Sequence, residues 1–212
     1  MNGVESTLEA EPAAAAAIAG DRLPLLRRFT EALADQGEER GLIGPLELPR
    51  LWTRHVLNSA LVAPLLRPGL VGDVGSGAGL PGLVLAIVRP DVRFVLIEPM
   101  ERRVVWLQEQ VDGLGLENVS VLRARAEEVQ LAEPLDQVTA RAVSALSKLI
   151  PLTAPLLRPG GELVLLKGIN AEKEIEAAAK QIRRFRLSPP RVVVLGDGVL
   201  SEVTRVVRAT VG

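Results

Sequence analysis

The sequence predicts an α/β fold: a mainly parallel, doubly wound sheet with an antiparallel C-terminal hairpin and an N-terminal helical cap. Three observations carry this. Short β-rich runs alternate with helix-period segments from about residue 70 to 185, the pattern of parallel strands joined by crossover helices. One of those runs, LVGDV, passes directly into the glycine-dense turn GSGAGLPG, which opens a helix. Beyond residue 186, the β-rich runs RVVVL and SEVTRVVRA flank a GDG turn with no helical segment between them.

Residues 1–20 are rich in Ala and Glu, with five alanines at 13–17, and are expected to form a weak helix or a flexible, poorly ordered segment. From Asp21 to Gln36, Leu23, Leu26, Phe29, Thr30 and Leu33 recur at helical spacing, with Asp21 as a cap. GEERGLIGPLE is rich in turn residues. Pro49 suits a first helical position, and Leu51, Val56, Leu57, Leu61 and Leu65 place a second helix over 49–66. The core strands then follow as LVGDV (70–74), VRFVLIE (92–98), VSVL (119–122), DQVTARA (136–142) and, after an RPGG turn, ELVLLKG up to residue 168. Helices are expected from Pro81 to Val88, Met100 to Leu114, Ser144 to Leu157 and Ala171 to Phe185. This divides residues 21–212 into a cap (21–68) and an α/β core (69–212) of one domain, with no repeat of fixed period.

Composition narrows the function. The chain has 212 residues, 48% hydrophobic and 24% charged, which is ordinary for a soluble globular domain. No apolar run approaches the ~18 residues needed to span a bilayer, and the acidic start is unlike a secretory or transit leader, so a cytoplasmic protein is expected. Cysteine is absent, which excludes disulfides, Cys-ligated metals and a thiolate nucleophile; no metal is expected. Net charge is −1, aromatic content is 2% and tyrosine is absent. An RNA substrate would therefore be held by a local basic patch, not by global charge or a stacking platform.

The turn at 73–82 holds four glycines, Gly75, Gly77, Gly79 and Gly82. At the carboxyl end of the first strand of a doubly wound sheet, such a turn lets backbone approach a nucleotide-like ligand. Glu98 stands about 20 residues on, at the end of the next strand, where a carboxylate accepts hydrogen bonds from ribose hydroxyls. Pro81 removes a donor near the helix start, and Asp73 adds negative charge beside the loop. Both disfavour a pyrophosphate and suit a cofactor with a cationic sulfonium and amine, S-adenosylmethionine. The chain also has little room for the substrate domain of a dehydrogenase. Without cysteine, covalent attack on a pyrimidine is closed. Without tyrosine or an Asn-Pro-Pro-aromatic run, the common apparatus for exocyclic amines is missing. With one histidine, proton abstraction is poorly provided for, which favours an acceptor with a free lone pair, such as a purine N7.

DVGSGAGLPG, the later RAEE, TARAV and LLKG together resemble the RsmG (GidB) family, and GLIGPLELPRLWTRHVLNS and LIEPMERRVVWL resemble its actinobacterial branch. The resemblance runs from about residue 25 to 185. It implies a Rossmann-like class I S-adenosylmethionine-dependent methyltransferase that modifies guanine N7, at nucleotide 527, of 16S rRNA. It also implies recognition within the small ribosomal subunit; no membrane and no obligate protein partner are expected. It places the cofactor on Gly75, Leu80, Glu98, Ala126, Glu127 and Arg141, beside Asp73 and Gly77. The family's His-x-x-Asp-Ser reads His55-Val-Leu-Asn58-Ser59 here, without the carboxylate.

Several residues carry two readings. Arg141, after a buried strand, is either a catalytic positioning group or a structural partner of Glu127 or Asp73. Arg123 and Arg125 are either phosphate contacts completing a basic rim with Arg141 and Lys167, or solvated loop charges. Lys167 either meets RNA or lies along the surface. His55 either touches substrate or bonds a neighbouring backbone group. Trp52 and Trp106 read as core, and RRFR at 183–186 reads as a solvated face. Two other functions fit the same fold: a small-molecule methyltransferase, and a non-catalytic nucleotide-binding ribosome-associated module.

Overall fold

A computed structural model describes residues 7–212. The chain runs through α1 (Ala14–Ala19), α2 (Leu23–Gln36), a π-helical segment Leu51–Leu57 and α3 (Asn58–Ala60) before entering the sheet. There follow β1 (Leu70–Val74), α4 (Gly82–Val88), β2 (Arg93–Ile97), α5 (Glu101–Leu114), β3 (Val119–Leu122) and β4 (Leu135–Arg141). The rest comprises α6 (Leu146–Thr153), β5 (Leu157–Lys167), α7 (Ala171–Ala177), α8 (Ala179–Arg184), β6 (Arg191–Leu195) and β7 (Thr204–Thr210). The seven strands lie in the order β3-β2-β1-β4-β5-β7-β6. β1 to β5 pair in parallel, and β7 runs antiparallel to both β5 and β6.

The core strands read as nearly unbroken apolar runs because both sheet faces are covered. Along β2, Phe94 and Leu96 enter one apolar layer, while Val95 and Ile97 enter the other. The first layer packs β1, β2 and β5 against α1, α2, α4, α5 and the π-helical segment, with Phe29, Leu57, Leu83 and Trp106 fully buried. The second contains Leu146, Ile150, Ala171 and Ala178 from α6, α7 and the α7–α8 junction. The cap thus shares its core with the sheet.

Asp21 lies in a 3-10 turn and does not cap α2, whose first residue follows Arg22. The observed elements differ from expectation in four further places. Of the N-terminal segment expected to be flexible, residues 1–6 lie outside the described residues, but α1 is docked with Ala15 and Ala19 buried. So short a helix gains its stability from packing, and alanine lets it come close. The Glu9 N–H also donates to the Leu48 carbonyl (2.9 Å), and the Glu9 carboxylate accepts from the Thr53 N–H (2.9 Å). The helix expected over 49–66 is four unlike pieces: a 3-10 turn Leu48–Arg50, the π-helical segment, α3 and a 3-10 turn Ala63–Leu65. The helix expected over 171–185 breaks at Ala178 (φ −89°, ψ 3°). The terminal hairpin forms with Leu195 opposite Thr204, so its connection spans 196–203 and not a tight GDG turn. Because Lys167 pairs with Arg205, that connection sits at the carboxyl end of β5.

Candidate active site at the carboxyl edge of the sheet

The glycine loop crosses from β1 over the end of β2. The Gly75 and Ser76 N–H groups donate to the Ile97 carbonyl (2.8 and 3.3 Å). Glu98, only 2% exposed, accepts the Gly77 N–H at Oε2 (2.9 Å) and the Met100 N–H at Oε1 (3.0 Å). From below, Trp106 Nε1–H donates to the Ala78 carbonyl (3.0 Å). Gly77 has φ +56°, and a Cβ there would meet only the Gly75 carbonyl at 3.8 Å. A left-handed backbone favours glycine, and no side chain fills the space in front of it. Each Glu98 oxygen keeps a further acceptor lone pair.

Asp73 and Leu80 stand on and beside the glycine turn as the sequence reading has them, with both side chains buried. The Asp73 side chain is fully buried under the loop. Its Oδ2 accepts the Gly82 N–H that opens α4 (3.1 Å), and its Oδ1 accepts the Thr139 hydroxyl (3.1 Å). Burial raises its pKa to about 6, against hydrogen bonds from Ser76, Thr139 and Gly82 and the charge of Arg141. Asp73 therefore braces the loop from beneath, and it occupies the Gly82 N–H at the start of α4. Leu80 is 6% exposed and packs into the first apolar layer, so its backbone alone faces the loop. Ala126 and Glu127 follow β3, which joins Glu98 through the Glu98 N–H and the Leu122 carbonyl (3.1 Å). Glu127 is exposed and Ala126 half-buried.

A cleft of about 790 Å³ opens beside this loop at the ends of β4, β5 and β7. Arg54, His55 and Asn58 of the cap form one wall; Arg141, Lys167, Ile169 and Arg205 line the sheet side, with Glu174 and Glu202 at the margins. Its four Lys and Arg side chains outnumber its two carboxylates. Val143 connects the two halves: a Cβ on Gly75 would lie 2.7 Å from Val143 Cγ2, so the segment after β4 rests on the glycine loop.

Arg141 pairs with neither Glu127 nor Asp73 directly. Its Nη1 donates to His55 Nδ1 (3.1 Å), and His55 Nε2 meets Glu47 Oε2 (2.5 Å). Glu47 also receives Arg50 (2.6 Å). Burial lowers the Arg141 pKa to about 10, with Asp73 opposing, so it stays cationic at neutral pH. His55 is held below its usual value by burial, opposed by its bond to Glu47 and reinforced by the charge of Arg141. His55 thus bridges two side chains instead of bonding a neighbouring backbone group, and it also lines the cleft.

The proposed basic rim is not continuous. Lys167 Nζ is bound by Glu174 (2.7 Å) and donates to the Ser144 carbonyl (2.8 Å), which makes it a brace between β5, α7 and the segment after β4. Arg123 and Arg125 are exposed on the far side of the sheet, after β3, and Arg123 meets Glu101 (3.0 Å). RRFR ends α8, where the Gly212 N–H donates to the Arg186 carbonyl (3.0 Å), at the opposite edge from the cleft. Glu47, Arg54 and Arg205 escaped the sequence reading. The alternation of β7 was a usable signal for Arg205; Glu47 lay in a turn with none. Asn58 is bound by the Thr204 hydroxyl, through its carbonyl at 3.0 Å and its side-chain oxygen.

The family model described as GidB, rRNA small subunit methyltransferase G, matches residues 22–199, further than the motif resemblance reached. A protein named ribosomal RNA small subunit methyltransferase G from Leifsonia xyli is 73% identical over 205 residues, covering 97% of this chain and 98% of the relative. A protein of the same name from Clavibacter michiganensis is 69% identical, covering 96% and 97%. Among solved structures, an S-adenosylmethionine-dependent methyltransferase from Aquifex aeolicus superposes with TM-score 0.53 at 19% identity, covering 95% of each chain. TYW2 from M. jannaschii, solved with AdoMet, gives TM-score 0.58 at 19% identity over 76% of each. These two show the fold, the Rossmann-like class I methyltransferase architecture. The chain belongs to the rRNA small subunit methyltransferase G (GidB) family.

Proposed function

We propose that this S-adenosylmethionine-dependent rRNA methyltransferase methylates N7 of a guanine in 16S rRNA, at nucleotide 527, and meets its substrate in the cytoplasm within the small ribosomal subunit. The observation that supports this best is the contact of Val143 with the glycine loop, which joins a nucleotide cradle to a cation-rich cleft with Arg141 between them.

The residues present fit the cofactor. Gly77 leaves open space, Glu98 offers acceptors beside it, and Asp73 withdraws the Gly82 N–H from any phosphate. Gly75, Gly77 and the Leu80 backbone would hold the methionine side, Glu98 the ribose, and Ala126 and Glu127 the adenine side. When bound, S-adenosylmethionine supplies an electrophilic methyl group on a cationic sulfonium.

On the acceptor side, Arg141 and Arg205 draw a phosphate backbone toward the cleft, while Arg54 is held by Glu202 (3.0 Å). Ile169 and Val143 are 75% and 38% exposed and give aliphatic faces for a purine in a chain without tyrosine. Arg141 offers donors for a guanine O6. N7 carries a lone pair and no proton, so attack needs no general base. That suits a site whose sole histidine has both ring nitrogens engaged. The chain's work is then alignment and charge placement.

The test is transfer of labelled methyl from S-adenosylmethionine to purified small subunits lacking the modification, followed by mapping. Label on one guanine N7 is expected. Label on another atom or class of molecule, or none, overturns the reading.

A further inference from the structure

The cap sets Glu47 and His55 in a row with Arg141 of β4, and the transfer chemistry above uses neither Glu47 nor His55. Arginine can only donate, so at 3.1 Å His55 Nδ1 must be the acceptor. A carboxylate can only accept, so at 2.5 Å His55 Nε2 must carry the proton. The two contacts together fix one neutral tautomer. The ring's place is set by the π-helical segment, with Ser59 closing the next turn by donating its hydroxyl to the His55 carbonyl (2.7 Å). His55 is only 14% exposed at its side chain, so its orientation is packed as well as bonded.

We propose that His55 is a positioning residue: as the Nε2–H tautomer anchored by Glu47, it aims the Arg141 guanidinium across the junction between the glycine loop and the cleft. A second proton on the ring would fall on Nδ1. It would remove the acceptor that holds Arg141 and set two cations 3.1 Å apart at their nitrogens. Arg141 would turn away, and methyl transfer would fall on the acid side. The charged groups facing this row are Glu47 and Arg50 from the loop and turn before the π-helical segment, Arg54 within it and Glu202 beyond Arg54. Asp73, beneath Arg141, is also titratable. Burial and Arg141 hold the ring neutral, while Glu47 works against them. The inference rests on Arg141 serving the transfer site, as proposed above.

The chain's single histidine makes the test direct. Nitrogen-15 NMR of the unliganded protein should show the Nε2–H tautomer at pH 7.5 and a His55 pKa below 6.5. Glu47→Gln should move that pKa further down, and Arg141→Gln should move it up. kcat/KM for methyl transfer to small subunits should fall by about tenfold per pH unit below the wild-type His55 pKa. Glu47→Gln should shift this acid limb with the NMR value, whereas a limb due to Asp73 would stay. His55→Asn, whose side-chain oxygen replaces Nδ1, should retain more activity at pH 7.5 than His55→Leu. An Nδ1–H tautomer, a pKa unmoved by both substitutions, or an acid limb that ignores Glu47→Gln overturns the proposal. The tautomer is read on the wild-type protein, so it stands even if a variant fails to fold. Methyl mapped to an atom other than N7, with the NMR outcomes intact, refutes the acceptor assignment and spares the positioning role.

Discussion

Glu98 Oε2 accepts the Gly77 N–H at 2.9 Å, although the two residues lie 21 positions apart and on different connections of the sheet. The bond clamps the open side of the glycine loop to the end of β2, and the second carboxylate oxygen fixes the Met100 N–H at the entry to α5. One buried carboxylate therefore holds the glycine loop and the start of α5 together.

Glu98→Ala leaves the Gly77 and Met100 N–H groups without their acceptor. It should weaken S-adenosylmethionine binding by about 1–3 kcal/mol, roughly five- to 150-fold, and lower stability as well. Calorimetric titration beside urea unfolding checks this. Glu98→Gln, which keeps one carbonyl acceptor, should lose less on both counts, and unchanged cofactor affinity in Glu98→Ala would misplace the ribose.

Trp106 supports the same loop from its buried side through the Ala78 carbonyl. Trp106→Phe removes the indole N–H while keeping an aromatic ring. Loss of that bond should cost about 1 kcal/mol in unfolding free energy, with further loss from the smaller ring. Because the effect reaches the ligand only through the loop, cofactor affinity should fall less than in Glu98→Ala. The reverse order would mean that Trp106, not Glu98, organises the cradle.

What sequence reading could reach follows from this geometry. Asp73, Gly77 and Glu98 were legible because strand, turn and helix are local, and their spacing along the chain survives into space. Their division of labour was not: burial decides that Asp73 faces inward and Glu98 spans two loops. His55 and Arg141 were singled out separately, but 86 residues separate them, and nothing local announces that a turn glutamate would join them. Lys167 misled for the same reason. Its strand-end position is local, while its partner Glu174 comes from the next helix. The π-helical turn and the docked alanine helix likewise express packing that propensity does not encode.

Asp73 gives a pH signature of definite sign. Its pKa rises from 3.8 to about 6 on folding, so the folded state binds a proton more readily between those values. The stabilisation this represents is fully present below the unfolded value and is lost as pH rises through about 6. Asp73→Asn cannot ionise. Relative to wild type it should therefore gain stability as pH increases from 4 to 8. Urea midpoints across that range measure the difference, and a constant gap would show that Asp73 titrates normally. His55 contributes with opposite sign. Its folded pKa is depressed, so its share is present above 6.5 and is lost as pH falls toward the folded value.

The two cations at the end of β5 and the start of β7 should separate under salt. Lys167 is held by Glu174 and the Ser144 carbonyl and is 8% exposed at its side chain, whereas no ion pair of Arg205 is present among the described residues. A cation that releases counterions on meeting a phosphate changes the slope of log affinity against log salt; one already neutralised does not. Arg205→Gln should reduce the slope for binding to unmodified small subunits by about 0.7–0.9 while leaving unfolding free energy within ~0.5 kcal/mol. Lys167→Gln should leave the slope nearly unchanged and lower stability, because Glu174 loses its partner in a part-buried setting. A slope change in Lys167→Gln equal to that in Arg205→Gln would return Lys167 to the RNA-contacting role and release Glu174 as its brace.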